Sequence, residues 1–182
     1  TELISERLPD SAVGDLERDP RILEAAPAMP TVLIEPQATA GDAVGEAWGI
    51  AAVGADKSRF DGSGVKVAVL DTGIETSHSA FKGMMIIEED FSGAGNGDRN
   101  GHGTHCAGTI FGRDLDRRIG IARGVDQALI GKVLNDSGRG STLGMFWGIQ
   151  WAAKHGANII SMSLGFDTAG LIETLIKEGW PK

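Results

Sequence analysis

Apolar and polar positions along this 182-residue chain change period several times, and each change marks an element. Val65-Lys66-Val67-Ala68-Val69-Leu70 alternates and then runs continuously apolar, which predicts a strand buried on both faces of a parallel sheet. Met84 to Phe91 reads as another strand and Gly103 to Phe111 as a helix of small residues. Ala128-Leu129-Ile130-Gly131-Lys132-Val133 is a second core strand. Leu143 to His155 has helical spacing, with Ser141 or Thr142 as cap, Phe146, Trp147, Ile149 and Trp151 mostly toward the core, and Gly156 as stop. Asn158 to Gly165 is a third buried strand. The β, α, β, α, β rhythm implies a parallel sheet covered by helices, an α/β fold.

The flanks are less regular. Residues 1 to 30 are polar and proline-punctuated, with one short helix expected from Val13 to Arg18. Pro30 to Pro36 reads as a short strand whose bracketing prolines favour an edge position. Ala43 to Ala55 tolerates a helix. Leu171, Ile172, Leu175 and Ile176 have helical spacing and predict an amphipathic helix whose apolar face needs a partner.

Composition narrows the classes. A hydrophobic fraction of 41% with 27 glycines fits a compact, turn-rich domain. The formal charge of −8 and the lack of a Lys/Arg stripe argue against nucleic acid or an anionic membrane as partner. No apolar run reaches the length of a membrane span. One cysteine, Cys106, excludes an intramolecular disulfide and reads as a packing residue one turn beyond His102. No basic and apolar leader opens the chain. A trimmed leader would still allow secretion, so no compartment is encoded.

The chemistry concentrates between Asp71 and His102. Asp71-Thr72-Gly73 closes the first core strand, and the carboxyl ends of such strands are where open α/β sheets carry out chemistry. Asn100-Gly101-His102-Gly103-Thr104-His105-Cys106-Ala107-Gly108-Thr109 sets a glycine-flanked histidine at a helix start. The glycines permit close backbone approach. A carboxylate accepting the Nδ1 proton of an imidazole fixes its tautomer and leaves the other nitrogen as a base. Asp71 and His102 are therefore candidate catalytic residues.

These two segments, V-A-V-L-D-T-G-I and N-G-H-G-T-H-C-A-G-T, resemble the subtilisin-like serine proteases, whose motifs follow the order Asp then His. The resemblance runs from about Ala47 to Gly165. It implies an incomplete, doubly wound, mostly parallel sheet and a serine endopeptidase mechanism. The family's nucleophilic Ser, in a Gly-Thr-Ser-Met-Ala-type helix start, and its oxyanion Asn are not found here. The expectation is the front part of a protease, inactive alone, needing a C-terminal remainder as partner and self-associating through its truncated core. The resemblance also implies two backbone edges, Ser137-Gly138-Arg139-Gly140 and Ser163-Leu164-Gly165. A peptide or protein substrate would lie between them as an added strand.

The same resemblance implies a domain plan. Residues 1–42 would be an N-terminal extension or propeptide remnant, 43–182 the front of the catalytic domain, and 166–182 the start of an insertion. No cofactor is required. Calcium is the one ion to consider, yet a family calcium carboxylate is replaced within Ser79-Ala80-Phe81, which removes a hard oxygen ligand from that site. Asp90, Asn96 and Asp98 offer oxygens around a glycine-rich loop, where turn formation is the simpler role. Three other readings stay open. Asp71-Thr72-Gly73 also fits half of an aspartic protease. His102 and His105, three apart near Asp71, would suit a metal. A non-catalytic peptide-binding or assembly domain takes the missing serine at face value.

Overall fold

The computed structural model describes residues 3–9, 12–16, 18–34 and 48–177. Its elements are α1 (Val13–Leu16), β1 (Pro30–Leu33), α2 (Trp48–Ala52), β2 (Lys66–Asp71), a 3₁₀ turn at Ser79–Phe81 and β3 (Met85–Asp90). Then come α3 (His102–Phe111), β4 (Gln127–Lys132), β5 (Arg139–Ser141), α4 (Thr142–Lys154), β6 (Ile159–Met162), β7 (Leu164–Phe166) and α5 (Thr168–Lys177). The expected domain boundary at residues 42 and 43, the end of the Pro30 to Pro36 strand and the start of the Ala43 to Ala55 helix lie outside the described residues.

Strands β3, β4, β2 and β6, in that spatial order, form a parallel sheet. The alternation in β2 divides its side chains between two cores. Val67 and Val69 pack with Ala107 and Phe111 of α3 on one face. Ala68 meets Ala152 of α4, and Leu70 meets Val133 and Leu134, on the other. Helices on both faces of a parallel sheet make this an α/β fold, as the strand and helix rhythm predicts, and a doubly wound one, as the resemblance implies.

Helix α4 meets the expectation in part: Ile149 and Trp151 pack against the core, whereas Phe146 and Trp147 do not. Its buried stripe is Met145, Gly148 and Ala152, while Phe146 and Trp147 remain 46% and 40% exposed. The cause is close approach: a Cβ on Gly148 would lie 2.8 Å from Val133 Cγ1, and one on Gly144 would lie 2.9 Å from the Phe91 carbonyl oxygen. Small residues therefore take the contact face, and the aromatic pair turns outward. Ser141 does cap the helix, its hydroxyl accepting from the Gly144 N–H at 3.3 Å.

Two more expectations are corrected. The segment expected as one buried strand, Asn158 to Gly165, divides at Ser163 into β6 and β7, which belong to different sheets. Among the described residues β6 pairs only with β2, so Ile159 and Met162 are 55% and 43% exposed. The proline-bracketed strand β1 is central rather than peripheral. It lies between β5 and β7 and pairs antiparallel with both in a second, three-stranded sheet. Prolines disfavour a central strand because they lack a donor. Here Pro30 is the first residue of β1, where a missing N–H is tolerated.

Candidate active site

Asp71 is the last residue of β2, fully buried, and His102 is the first of α3. Two glycines bring the elements together. Gly73 has φ +105°, a conformation disfavoured for side-chain-bearing residues, and a Cβ on Gly103 would collide with the Gly73 carbonyl oxygen. The result is a 2.8 Å hydrogen bond between His102 Nδ1 and Asp71 Oδ1. Asp71 Oδ1 also accepts from the Thr72 N–H at 2.7 Å. An ionised carboxylate only accepts, so Nδ1 carries the proton and Nε2 is the basic nitrogen.

The strand end is held from below by Lys132, which faces Asp71 across the β2–β4 register. Its ammonium is buried and fully engaged. Nζ donates to the carbonyls of Thr72 (2.7 Å) and Gly97 (2.9 Å) and to Asp136 Oδ1 (2.6 Å). Taking a cation out of water costs several kcal/mol unless such partners surround it, so this network fixes the loop geometry beside Asp71.

Cys106, one turn after His102, is half-buried, with Sγ 3.7 Å from His102 Nδ1 and 3.9 Å from Nε2. Burial pushes its thiol up, and the Asp71 carboxylate adds to that, outweighing a hydrogen bond with Ser163. The thiol stays neutral near pH 7 and is a poor nucleophile. One ligand atom each from Asp71, His102 and Cys106 fall within 4.8 Å of one another. Of the pair weighed for a metal, His105 points elsewhere: it is exposed and lines a separate, mainly apolar cavity of about 430 Å³ with His78, Phe81 and Ile121.

The acidic loop before α3 is saturated by the protein itself. Asp90 accepts from Ser92 N–H, Ser92 Oγ and Gly95 N–H, and Asp98 from five donors. Burial raises the Asp98 carboxyl, but hydrogen bonds from Thr104, Gly101 and Thr72 outweigh it and hold it below the usual carboxylate range. Such a depressed group adds stability that is fully present above its unfolded value near ~4 and is lost as pH falls through the folded value. The thermal midpoint should therefore hold between about pH 7 and 5 and fall steeply below about pH 4. A midpoint unchanged down to pH 3 in circular dichroism melts would contradict this.

The two expected backbone edges converge, and the chain's own β1 lies between them. Thr31 pairs with Gly140, and Val32 with both Arg139 and Gly165. Leu33 N–H donates to the Gly138 carbonyl at 2.9 Å and Ile34 N–H to the Ser163 carbonyl at 3.4 Å. Ser137 turns back on Asn135, its N–H and hydroxyl both donating to Asn135 Oδ1. Leu164 begins β7 opposite Leu33. Gly140 has no room for a side chain, since a Cβ would meet the Val133 carbonyl and, at 2.9 Å, Thr31 Oγ1. The Thr31 hydroxyl is buried without a hydrogen-bond partner.

Residues missed at the sequence level are Lys132, which looks like a strand-end surface lysine, and Asp98, whose role goes beyond a turn. The spacing of Asp98 four residues ahead of a helix-starting histidine is the signal that was available for it.

Residues 62–178 match the subtilase family. Subtilisin DY from Bacillus licheniformis is 40% identical over 126 residues, covering 65% of this chain and 44% of its own length. Alkaline serine exoprotease A from Vibrio alginolyticus is 42% identical over 113 residues, covering 59% and 20%. A crystal structure of a cold adapted subtilisin-like serine proteinase is 37% identical, covers 58% of this chain and 37% of that one, and has a TM-score of 0.48. The chain thus spans less than half the length of these relatives. Among the described residues, no helix is long and apolar enough to cross a membrane.

Proposed function

The chain belongs to the subtilase family, and from that premise we propose that it supplies the acid–base half of a serine endopeptidase site. The observation that carries this is the 2.8 Å bond from His102 Nδ1 to the buried Asp71 carboxylate. It presets the tautomer in which Nε2 can take the proton of a serine hydroxyl as that oxygen attacks a peptide carbonyl. His102 then returns the proton to the leaving amine, and Asp71 stays ionised and stabilises the imidazolium. No serine in the chain stands in the family's nucleophile setting, so in this reading the chain supplies the Asp71 and His102 roles and not the nucleophile.

The substrate class is an extended peptide. β1 supports this as an internal example: it is held by backbone hydrogen bonds from both edges, Gly138 to Ser141 and Ser163 to Phe166. A peptide substrate would have to displace β1 from those edges, which suits the reading of residues 1–42 as a propeptide remnant. The β6 edge, which has no second strand partner among the described residues and exposes Ile159 and Met162, suits docking of the C-terminal remainder or of a second copy. The proposed mechanism calls on no cofactor, and secretion is compatible with it.

The test is hydrolysis of a chromogenic peptide anilide by the 182-residue chain and by a serine-bearing form of the protein. Hydrolysis by the longer form alone is expected. Turnover by the 182-residue chain would overturn the assignment of the nucleophile, and none by either form would favour a peptide-binding role without catalysis.

A further inference from the structure

Asp98 lies outside the Asp71–His102 pair yet touches both of the elements that carry it. Its Oδ1 accepts from Thr72 Oγ1 (2.9 Å), Asn100 N–H (3.0 Å) and Gly101 N–H (2.9 Å). Its Oδ2 accepts from Thr104 N–H (2.9 Å) and Thr104 Oγ1 (2.6 Å). Thr72 directly follows Asp71, and Gly101 and Thr104 flank His102.

The donors dictate direction. An ionised carboxylate cannot donate, so both threonine hydroxyls must give their protons to it and turn their lone pairs outward. Thr72 Oγ1 then accepts from the Gly103 N–H at 2.9 Å, and Thr104 Oγ1 from the Glu75 N–H at 2.9 Å. One carboxylate thereby orients two hydroxyls, and each passes a hydrogen bond across the gap between the end of β2 and the start of α3. The Thr72 link joins the residue after Asp71 to the residue after His102. The Thr104 link joins α3 to Glu75, so both links tie the start of α3 to the segment that leaves β2.

We propose that Asp98 is the positioning residue of this site: its charge sets the direction of the Thr72 and Thr104 hydroxyl links that hold His102 Nδ1 against Asp71. This rests on the protease reading for its purpose but not for its test. An amide at position 98 cannot reproduce the arrangement, because its NH₂ would face a donor at either oxygen's place, the Thr104 N–H on one side or the Gly101 N–H on the other. Hydrogen bonds to a charged acceptor are about twice as strong as neutral ones, so the neutral isostere loses more than geometry.

The experiment reads the bond itself. In proton NMR of the 182-residue chain, an imidazole Nδ1–H held by a carboxylate gives a strongly downfield resonance, which His102→Ala removes. In Asp98→Asn that proton should exchange with water about ten- to a hundredfold faster, the change expected for losing one hydrogen bond to a charged group. Thr72→Val, which deletes only the link to Gly103, should shift exchange in the same direction. It also serves if Asp98→Asn does not fold. Asp98→Ala should match or exceed Asp98→Asn. An unchanged resonance and exchange rate in folded Asp98→Asn or folded Thr72→Val would overturn the proposal. So would absence of the resonance from the parent chain. Because no peptide hydrolysis is measured, failure of the protease reading would leave this result standing by itself.

Discussion

Replacing His102 with Ala in the serine-bearing form of this protein is expected to lower kcat by about six orders of magnitude, the loss known when a subtilisin is stripped of its histidine. KM should change little, because in the proposed binding mode the peptide takes the backbone edges that β1 occupies here, Gly138 to Ser141 and Ser163 to Phe166, and does not rely on the imidazole. The effect is this large because the base acts as a unit with its orienter and nucleophile, and a serine hydroxyl without a base is a weak nucleophile at neutral pH. Cys106 cannot substitute. Burial and the nearby Asp71 charge keep its thiol protonated, although its Sγ is 3.9 Å from the same imidazole nitrogen. Steady-state kinetics on an extended peptide would check this, and a loss below about tenfold would remove His102 from the mechanism.

Gly103→Ala should have the second-largest effect, through geometry alone. Its new methyl would be directed at the Gly73 carbonyl oxygen, with the Gly73 N and C atoms at 3.1 and 3.2 Å. These are backbone atoms of a loop that Lys132 and Asp98 already pin, so the strain cannot be relieved by a rotamer change. Overpacking of this kind costs about 1–3 kcal/mol. The larger consequence is for the pair, since a hydrogen bond of 2.8 Å ceases to be one near 3.6 Å. A displacement of about 1 Å in a catalytic group can cost about a hundredfold in rate. The variant should therefore melt lower and turn over about a hundredfold more slowly in the serine-bearing form. Normal melting and turnover together would show that α3 does not need to approach β2 this closely.

What the sequence disclosed, it disclosed where local pattern and chemistry coincide. Asp71 and His102 were legible because each stands at the junction between a periodic apolar run and a glycine. Those glycines are needed where backbone meets backbone, as at Gly73 and Gly103. The parallel sheet was legible for a similar reason, since β2 and β4 are apolar on both faces.

The rest depends on pairings that no local pattern encodes. Nothing near Pro30 announces that its strand will pair with residues more than a hundred positions away, and its prolines pointed to an edge. The outward turn of Phe146 and Trp147 follows from glycines at 144 and 148 that admit Phe91 and Val133 closely, a fact about the facing elements. Lys132 ends an apolar strand and would ordinarily reach water. It is buried because three oxygens from separate loops converge on it. Asp98 was readable as a turn former but not as the acceptor linking β2 to α3, because Thr72 lies 26 residues earlier in the chain.

The most direct test of the central claim is covalent labelling by a fluorophosphonate probe, read by intact mass, on the 182-residue chain, a serine-bearing form and that form carrying His102→Ala. The account predicts one label on the serine-bearing form, none on the 182-residue chain, and labelling slowed by orders of magnitude in His102→Ala. Labelling at an undiminished rate in His102→Ala would contradict it, because the nucleophile would then not depend on the Asp71–His102 pair.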